Sequence, residues 1–376
     1  MPTIFTKDAL RASVEAATGG HVTVLYDDKG YPSYMYRVPK FTIGYAFKAL
    51  LGDSWSTSVL ASRENETFPA FVKNDVEKSE IFIGCYKGKV YDGRLCSVPG
   101  VDPTTYINFD NASKYATDKG EGWHIMSIWE RAALIHWCAA NKMIPRGNTN
   151  YGRSHSATYE IGARQDKGKP GDATGSPAAR TLTGSGPASW RHNREQFGID
   201  DLCGNIWEWM VGLKLDDGVI KMISDNYFDQ PEASWPGDLG ALDSTVGSAD
   251  GTGVTTNGVP KFASAVTKYL GTPGNDANEG NYSSEATFTS RAAATGYTVP
   301  INLVLAGIAP VGLISGSYET DGTPDGYFAM RNFGERFPIA GGNWGYGSSA
   351  GVAALDLLYS RASSGYNIGA RPCFVA

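Results

Sequence analysis

Asp201, Gly204, Ile206 and Glu208 fall within Phe197–Met210, FGIDDLCGNIWEWM, and can together present two carboxylates and two backbone carbonyls. Those are the hard oxygen donors that a calcium ion takes. The competing reading is local, with Asp201 capping a turn and Glu208 paired with an arginine. The thiols offer less. Cys85, Cys96, Cys138, Cys203 and Cys373 are odd in number and lack CxxC spacing, the pattern of buried, reduced cysteines. His136 and Cys138 have no further ligand at metal spacing beside them, so both read as packing residues. Gly184-Ser185-Gly186 lacks the Lys-Ser/Thr of a phosphate loop, and no D-x-[DN]-x-[DN]-G calcium loop occurs. One candidate structural metal site remains, and no catalytic set.

The elements that must hold these residues are legible in part. Thr6 is placed to cap a short helix carrying Leu10, Val14 and Ala17 at helical period, which Gly19-Gly20 ends. His21–Tyr26 and Pro32–Val38 flank a DDKG turn and read as a hairpin, with Gly30 suited to positive φ. Glu80–Tyr86 and Lys89–Tyr91 read as strands around a Lys87-Gly88 turn, and a short helix starts near Asp110 and ends by Gly120. Ser127-Ile128-Trp129-Glu130 is a capping box opening a helix with Ile128, Ala132, Ile135 and Ala139 on its apolar face. Trp207 and Trp209 fall on one face of a strand and Glu208 on the other.

With 376 residues, 41% of them hydrophobic, the chain can bury a large core, and 46 glycines with 20 tyrosines argue for a loop-rich protein over a helical bundle. A net charge of −6 without a Lys/Arg cluster argues against nucleic acid as a partner. The first residues carry no apolar signal-peptide core, so synthesis in the cytoplasm is expected, and no apolar run approaches membrane-spanning length. Residues 1–64 read as a small attachment or homo-oligomerisation element. Residues 65–376 read as one ligand-binding domain, interrupted by a Gly/Ser/Thr/Asp-rich insertion over about 235–326 that holds two apolar islands, Ile301–Ile308 and Val311–Ile314.

The final stretch, Gly341–Arg371, combines two kinds of residue. A skeleton of small, aliphatic and arginine positions includes Gly341, Gly342, Trp344, Leu355, Leu357, Arg361, Ile368, Gly369 and Arg371. Between them stand Gly345, Tyr346, Ser349, Asp356, Leu358, Tyr359, Ala362, Ser363, Gly365 and Tyr366, which share no chemistry. A catalytic loop needs particular groups at particular points; this stretch reads as a fixed scaffold carrying interchangeable side chains. Tyrosine gives contact area at low entropic cost and Ser and Gly adapt around it, which suits recognition.

Gly122–Arg131, Pro145-Arg146-Gly147-Asn148, GIDDLCGNIWEW over Gly198–Trp209, Gly341-Gly342-Asn343-Trp344 and Asn367-Ile368-Gly369-Ala370-Arg371 occur in the order found in the formylglycine-generating-enzyme branch of the C-type lectin fold. The chain from Phe68 onward resembles that branch outside the insertion, which implies an α+β, loop-rich fold with few helices. Within it, the tail looks most like the variable proteins of diversity-generating retroelements. Their last segment is rewritten by adenine-specific mutagenic reverse transcription, and the ten interspersed residues stand where AAC- or AGC-type template codons would lie.

The resemblance implies a non-catalytic receptor-binding protein, of a phage or prophage tail, with massive sequence variation at those ten positions. Its partner would be a protein or other macromolecule at a bacterial surface, without membrane insertion. The calcium site of the oxidase branch maps onto Asp201, Gly204, Ile206 and Glu208, with aspartate in place of asparagine at the first, and implies a structural calcium. The oxidases bind copper through a C-terminal cysteine pair, and here Gly341–Arg371 contains no cysteine. Copper-dependent oxidation is the enzyme alternative, and it lacks its ligands. A fixed-ligand glycan-binding or structural tail module is the other.

Overall fold

A computed structural model of the protein describes residues 8–252, 257–271, 283–315 and 326–376. Thr6 lies outside the described residues, as do 253–256, 272–282 and 316–325 of the expected insertion. The architecture is mixed α+β, mostly sheet with few helices. The first helix, Ala9–Ala17, is capped by Asp8, whose carboxylate accepts the Arg11 amide at 2.8 Å.

Five strands form the first sheet, in the order Val22–Tyr26, Pro32–Pro39, Glu80–Gly84, Pro372–Phe374, Trp123–Ile125. The N-terminal hairpin is therefore hydrogen-bonded into the body, from Met35 opposite Gly84 to Pro39 opposite Glu80. One continuous core takes in Val22 and Phe47 together with Ile83, Ile135, Leu303 and Leu355. The change of composition near residue 64 coincides with no gap in the packing. The expected turn at Lys87-Gly88 also differs. Glu80–Gly84 pairs with Pro32–Pro39 and the C-terminal strand, while Lys89–Tyr91 pairs with Arg94–Cys96. Lys87 is buried.

The helix Ile128–Ala140 starts at its capping box: the Glu130 amide donates to Ser127 Oγ at 3.1 Å and the Ser127 amide to Glu130 Oε2 at 2.9 Å. Its cap is buried, so Glu130 needs further partners. They are His124 Nε2 at 2.8 Å and Asn226 Nδ2 at 3.2 Å. Burial would raise the Glu130 carboxyl, but the His124 imidazole, the Ser127 amide and Asn226 outweigh it and hold the group below its ordinary value.

His136, on this helix, donates from Nε2 to the Leu305 carbonyl at 3.0 Å and lies against Phe47. Burial pushes its pKa down from 6.5 to about 4. His192, also buried, is pushed down to about 3 by desolvation and by Arg371. Both rings are neutral in the folded chain at neutral pH, whereas the unfolded chain takes up their protons below about 6.5. Stability from this source is complete above about pH 6.5 and declines as pH falls toward 4, by ~1.4 kcal/mol per unit for each ring. His136→Gln is expected to flatten the acid limb of a stability–pH curve measured by urea unfolding; an unchanged limb refutes the assignment.

The stretch expected as an insertion is built into two sheets. Ala241–Ser244 and Pro260–Ala263 continue the sheet begun by Leu213–Asp216 and Val219–Met222, and Ser284–Thr287 edges a third sheet beside Tyr327–Met330. The first apolar island forms the helix Ile301–Leu305, whose Leu303, Val304 and Leu305 are buried in the main core, and the second contributes to Gly312–Ser315. Among the described residues no helix is long and apolar enough to cross a membrane.

Candidate functional site

The third sheet carries the tail. Its order is Ser284–Thr287, Tyr327–Met330, Leu355–Leu357, Ile339–Ala340, Trp207–Trp209, Ile368–Gly369. Register separates its two faces. Asp356 lies opposite Ala329 and Ile339, and Ile339 opposite Trp209, so Asp356 shares a face with Trp209 and, two residues along, with Trp207 and Tyr327. Leu355, Leu357, Ala340 and Glu208 take the other face, and both faces are covered, with Trp207, Trp209 and Ile339 in the same core as Leu355 and Leu357. Tyr346 lies across the first face, edge-on to Trp207 at 5.2 Å and to Tyr327 at 5.9 Å. Burial, and then the Asp356 carboxylate, push the Tyr346 hydroxyl up to about 12.

The backbone of this segment is held by residues outside it. The Trp344 carbonyl accepts from the Tyr151 amide at 2.7 Å, the Tyr359 carbonyl from Phe337 at 2.9 Å, and the Arg361 carbonyl from Phe109 at 3.2 Å. The Gly365 carbonyl accepts from Tyr106 at 2.9 Å, and the Tyr366 carbonyl from Arg180 Nη1 at 3.1 Å. The Gly347 amide donates to Thr149 and the Trp344 amide to Asn205. None of these bonds uses a side chain at the ten interspersed positions. Arg361 adds an ion-pair cluster with Asp110 at 2.7 Å, Glu232 at 3.2 Å and Glu335 at 3.6 Å. Gly341 and Gly342 adopt φ of +96° and +88°.

Of the ten, Gly345, Ala362 and Tyr366 are exposed, Tyr366 by 52%. Tyr346, Ser349, Tyr359, Ser363 and Gly365 are half-buried. Asp356 and Leu358, expected at the surface, are buried at 1% and 7% exposure. The reason is position: Asp356 is paired on both sides in a central strand, and its Oδ1 accepts the Leu358 amide at 2.9 Å. The accessible set thus consists of Tyr366, Ala362 and Gly345 with the accessible parts of Tyr346, Ser349, Tyr359, Ser363 and Gly365.

A methyl group separates frame from display. At Gly342 it would meet the Ala350 Cβ at 2.6 Å on a backbone at positive φ, whereas at Gly345 its nearest neighbour is the Tyr151 hydroxyl at 3.3 Å. Gly342→Ala is therefore expected to cost ~1–3 kcal/mol and Gly345→Ala less than about 0.5 kcal/mol, read from urea midpoints. Equal costs would remove the distinction.

Sequence reading missed three groups at this surface. Tyr106, 68% exposed with φ of 58°, and Tyr151, with φ of 50°, flank the segment and hold it through their amides. Arg180, paired with Asp102, lies over Trp344. A tyrosine in a loop carries no local sign of such a conformation.

Of the four expected calcium donors, the Ile206 carbonyl and Glu208 meet at one point, and a lysine occupies it. The Ile206 carbonyl and Glu208 Oε1 accept from the Lys87 ammonium at 2.8 and 2.7 Å. Glu208 also accepts from Arg371 Nη2 at 2.8 Å and Nε at 3.2 Å, so the pairing with arginine weighed from sequence is present. Asp201 Oδ2 accepts from Asn205 Nδ2 at 2.8 Å, and the Gly204 amide donates to the Gly341 carbonyl at 2.8 Å. Burial, and then the neighbouring Asp200, push the Asp201 carboxyl up to about 8. Arg371 donates further to the Gly84 and Asp200 carbonyls.

All five cysteines are free and buried. Burial pushes the Cys85, Cys138 and Cys203 thiols up to about 12, and Cys373 well above its ordinary value. Beside Arg361 of this segment, whose partners Phe109 and Glu232 form part of its wall, a cleft of about 610 Å³ is lined also by Trp123, Phe228, Trp235 and Asp229. No protein-family model matches the chain, and no curated protein matches it.

Proposed function

We propose that the chain is a non-catalytic binding protein that presents a diversified surface from residues 345–366, as the variable protein of a diversity-generating retroelement does. One observation carries this reading: the segment is fastened through its main chain by Phe109, Tyr106, Tyr151, Arg180 and Phe337, so its presented side chains are free to change. The frame would be a C-type lectin fold of the formylglycine-generating type. The ligand would be a protein or other macromolecule at a bacterial surface, met by a phage or prophage tail, with tyrosines as principal contacts.

The thiols tell against the copper-dependent oxidation of the resembled enzymes. Copper oxidation needs two adjacent thiolates, and these five are free, buried and raised in pKa, with Cys373 set in a strand beyond the segment. The test is the encoding locus. A reverse transcriptase gene and a near-identical repeat differing only at adenines of the ten codons is the expected finding; their absence overturns the retroelement reading.

The cleft favours a second reading, a module for one fixed glycan. Aromatic walls with carboxylate acceptors suit sugar recognition. That reading expects a glycan-array signal lost in Asp229→Asn and retained in Tyr366→Ala; the first reading expects the reverse sensitivity.

A further inference from the structure

Lys87 carries a charged side chain with no exposed surface. Local patterning places it in a turn, yet its chain neighbours draw it inward: the Gly88 amide donates to the Ala370 carbonyl at 2.8 Å, and the Gly88 carbonyl accepts from the Thr104 amide at 2.9 Å. Gly88 leaves no room for a side chain, since a Cβ would come within 2.8 Å of the Ala370 oxygen. The strand end is thus pressed against the Arg371 region, and the Lys87 ammonium projects between the Ile206 carbonyl and Glu208.

Those two oxygens are half of the donor set that spacing offers to calcium. Calcium takes six to eight oxygens and tolerates no cation among them. Here Glu208 divides its carboxylate between Lys87 and Arg371, and Asp201 gives Oδ2 to Asn205 while its buried Oδ1 has no hydrogen-bond partner. A divalent ion at this point would face an ammonium and a guanidinium at contact range in a desolvated interior, where like charges repel strongly.

We infer that Lys87 is a tethered internal cation standing in place of a bound calcium ion, so that the loop under the display segment is closed without metal. A covalently attached ammonium cannot dissociate, and it satisfies the Ile206 and Glu208 oxygens in the manner of a cation while adding directional N–H donors. The Asp201–Glu208 loop bears on the tail directly, through Gly204 to Gly341 and Asn205 to Trp344. The shape of the display surface is therefore independent of calcium concentration. This inference does not rest on the retroelement reading and survives its failure.

The test uses the full chain, purified without chelator. Metal analysis is expected to find no stoichiometric calcium, and the thermal midpoint is expected to be the same in excess EDTA and in excess calcium chloride. One equivalent of calcium, or a midpoint lowered by EDTA and restored by calcium, overturns the inference. Lys87→Met keeps the stem and removes the charge, and is expected to lower the midpoint by several degrees in calcium-free buffer. A variant as stable as the parent also overturns it. Should Lys87→Met fail to fold, the measurements on the unaltered chain still decide.

Discussion

Arg371→Leu is expected to cost ~3–5 kcal/mol of stability. The side chain is fully buried and makes four hydrogen bonds: two to Glu208 and one each to the carbonyls of Gly84 and Asp200. Leucine fills part of the volume and leaves those oxygens facing nothing, which costs more than the bonds themselves contribute. Glu208 would retain only Lys87. The measurement is urea unfolding, with a lower midpoint at an unchanged slope. Arg371→Lys is expected to recover only part of the loss, because an ammonium cannot span the Glu208 fork and both carbonyls. A leucine variant within about 1 kcal/mol of the parent would show that the cluster is not a structural tie.

The second large effect is on binding and leaves stability alone. Tyr366 is half exposed, and its ring touches Trp344 at 5.6 Å. Tyr366→Ala is expected to change folding stability by less than about 0.5 kcal/mol and, on the proposed reading of a ligand at a bacterial surface, to weaken binding to cells that carry it by ~2 kcal/mol, roughly thirtyfold, as central tyrosine contacts do. Flow cytometry of labelled protein on cells gives the affinity, and denaturant unfolding gives the stability. Tyr346→Ala serves as the contrast. That ring is packed on Trp207 and Tyr327, so its loss is expected to lower both. Undiminished cell binding by Tyr366→Ala would remove the display segment from recognition.

These expectations rest on a division of labour within one segment. Frame positions act through burial and main-chain bonds: Gly342 approaches Ala350 too closely for any side chain, and Leu355 and Leu357 lie wholly in the core. In the proposed reading, the accessible positions between them act through their exposed surface. Asp356 and Leu358 belong with the frame by burial, although their neighbours in sequence alternate between the two roles. Their exchange is expected to disturb folding before it alters recognition.

Much of this was legible in the residues. The Ser127–Glu130 capping box, the hairpin around Gly30, the Trp207–Glu208–Trp209 alternation and the skeleton of Gly341–Arg371 depend on contacts within a few positions, where backbone geometry ties residue type to conformation. Those signals did not separate buried from accessible positions between the skeleton residues, since Asp356 and Leu358 are buried. Three features were decided only by tertiary structure. Lys87 meets Glu208 across 121 positions, and no local pattern marks a lysine for burial. Tyr106 and Tyr151 fasten the tail from loops more than a hundred residues upstream, by amides that every residue but proline possesses. Asp356 is hidden because strands from other parts of the chain pair on both its sides. Period two assigns a residue to a face of a strand, but whether that face is covered depends on what else folds against it.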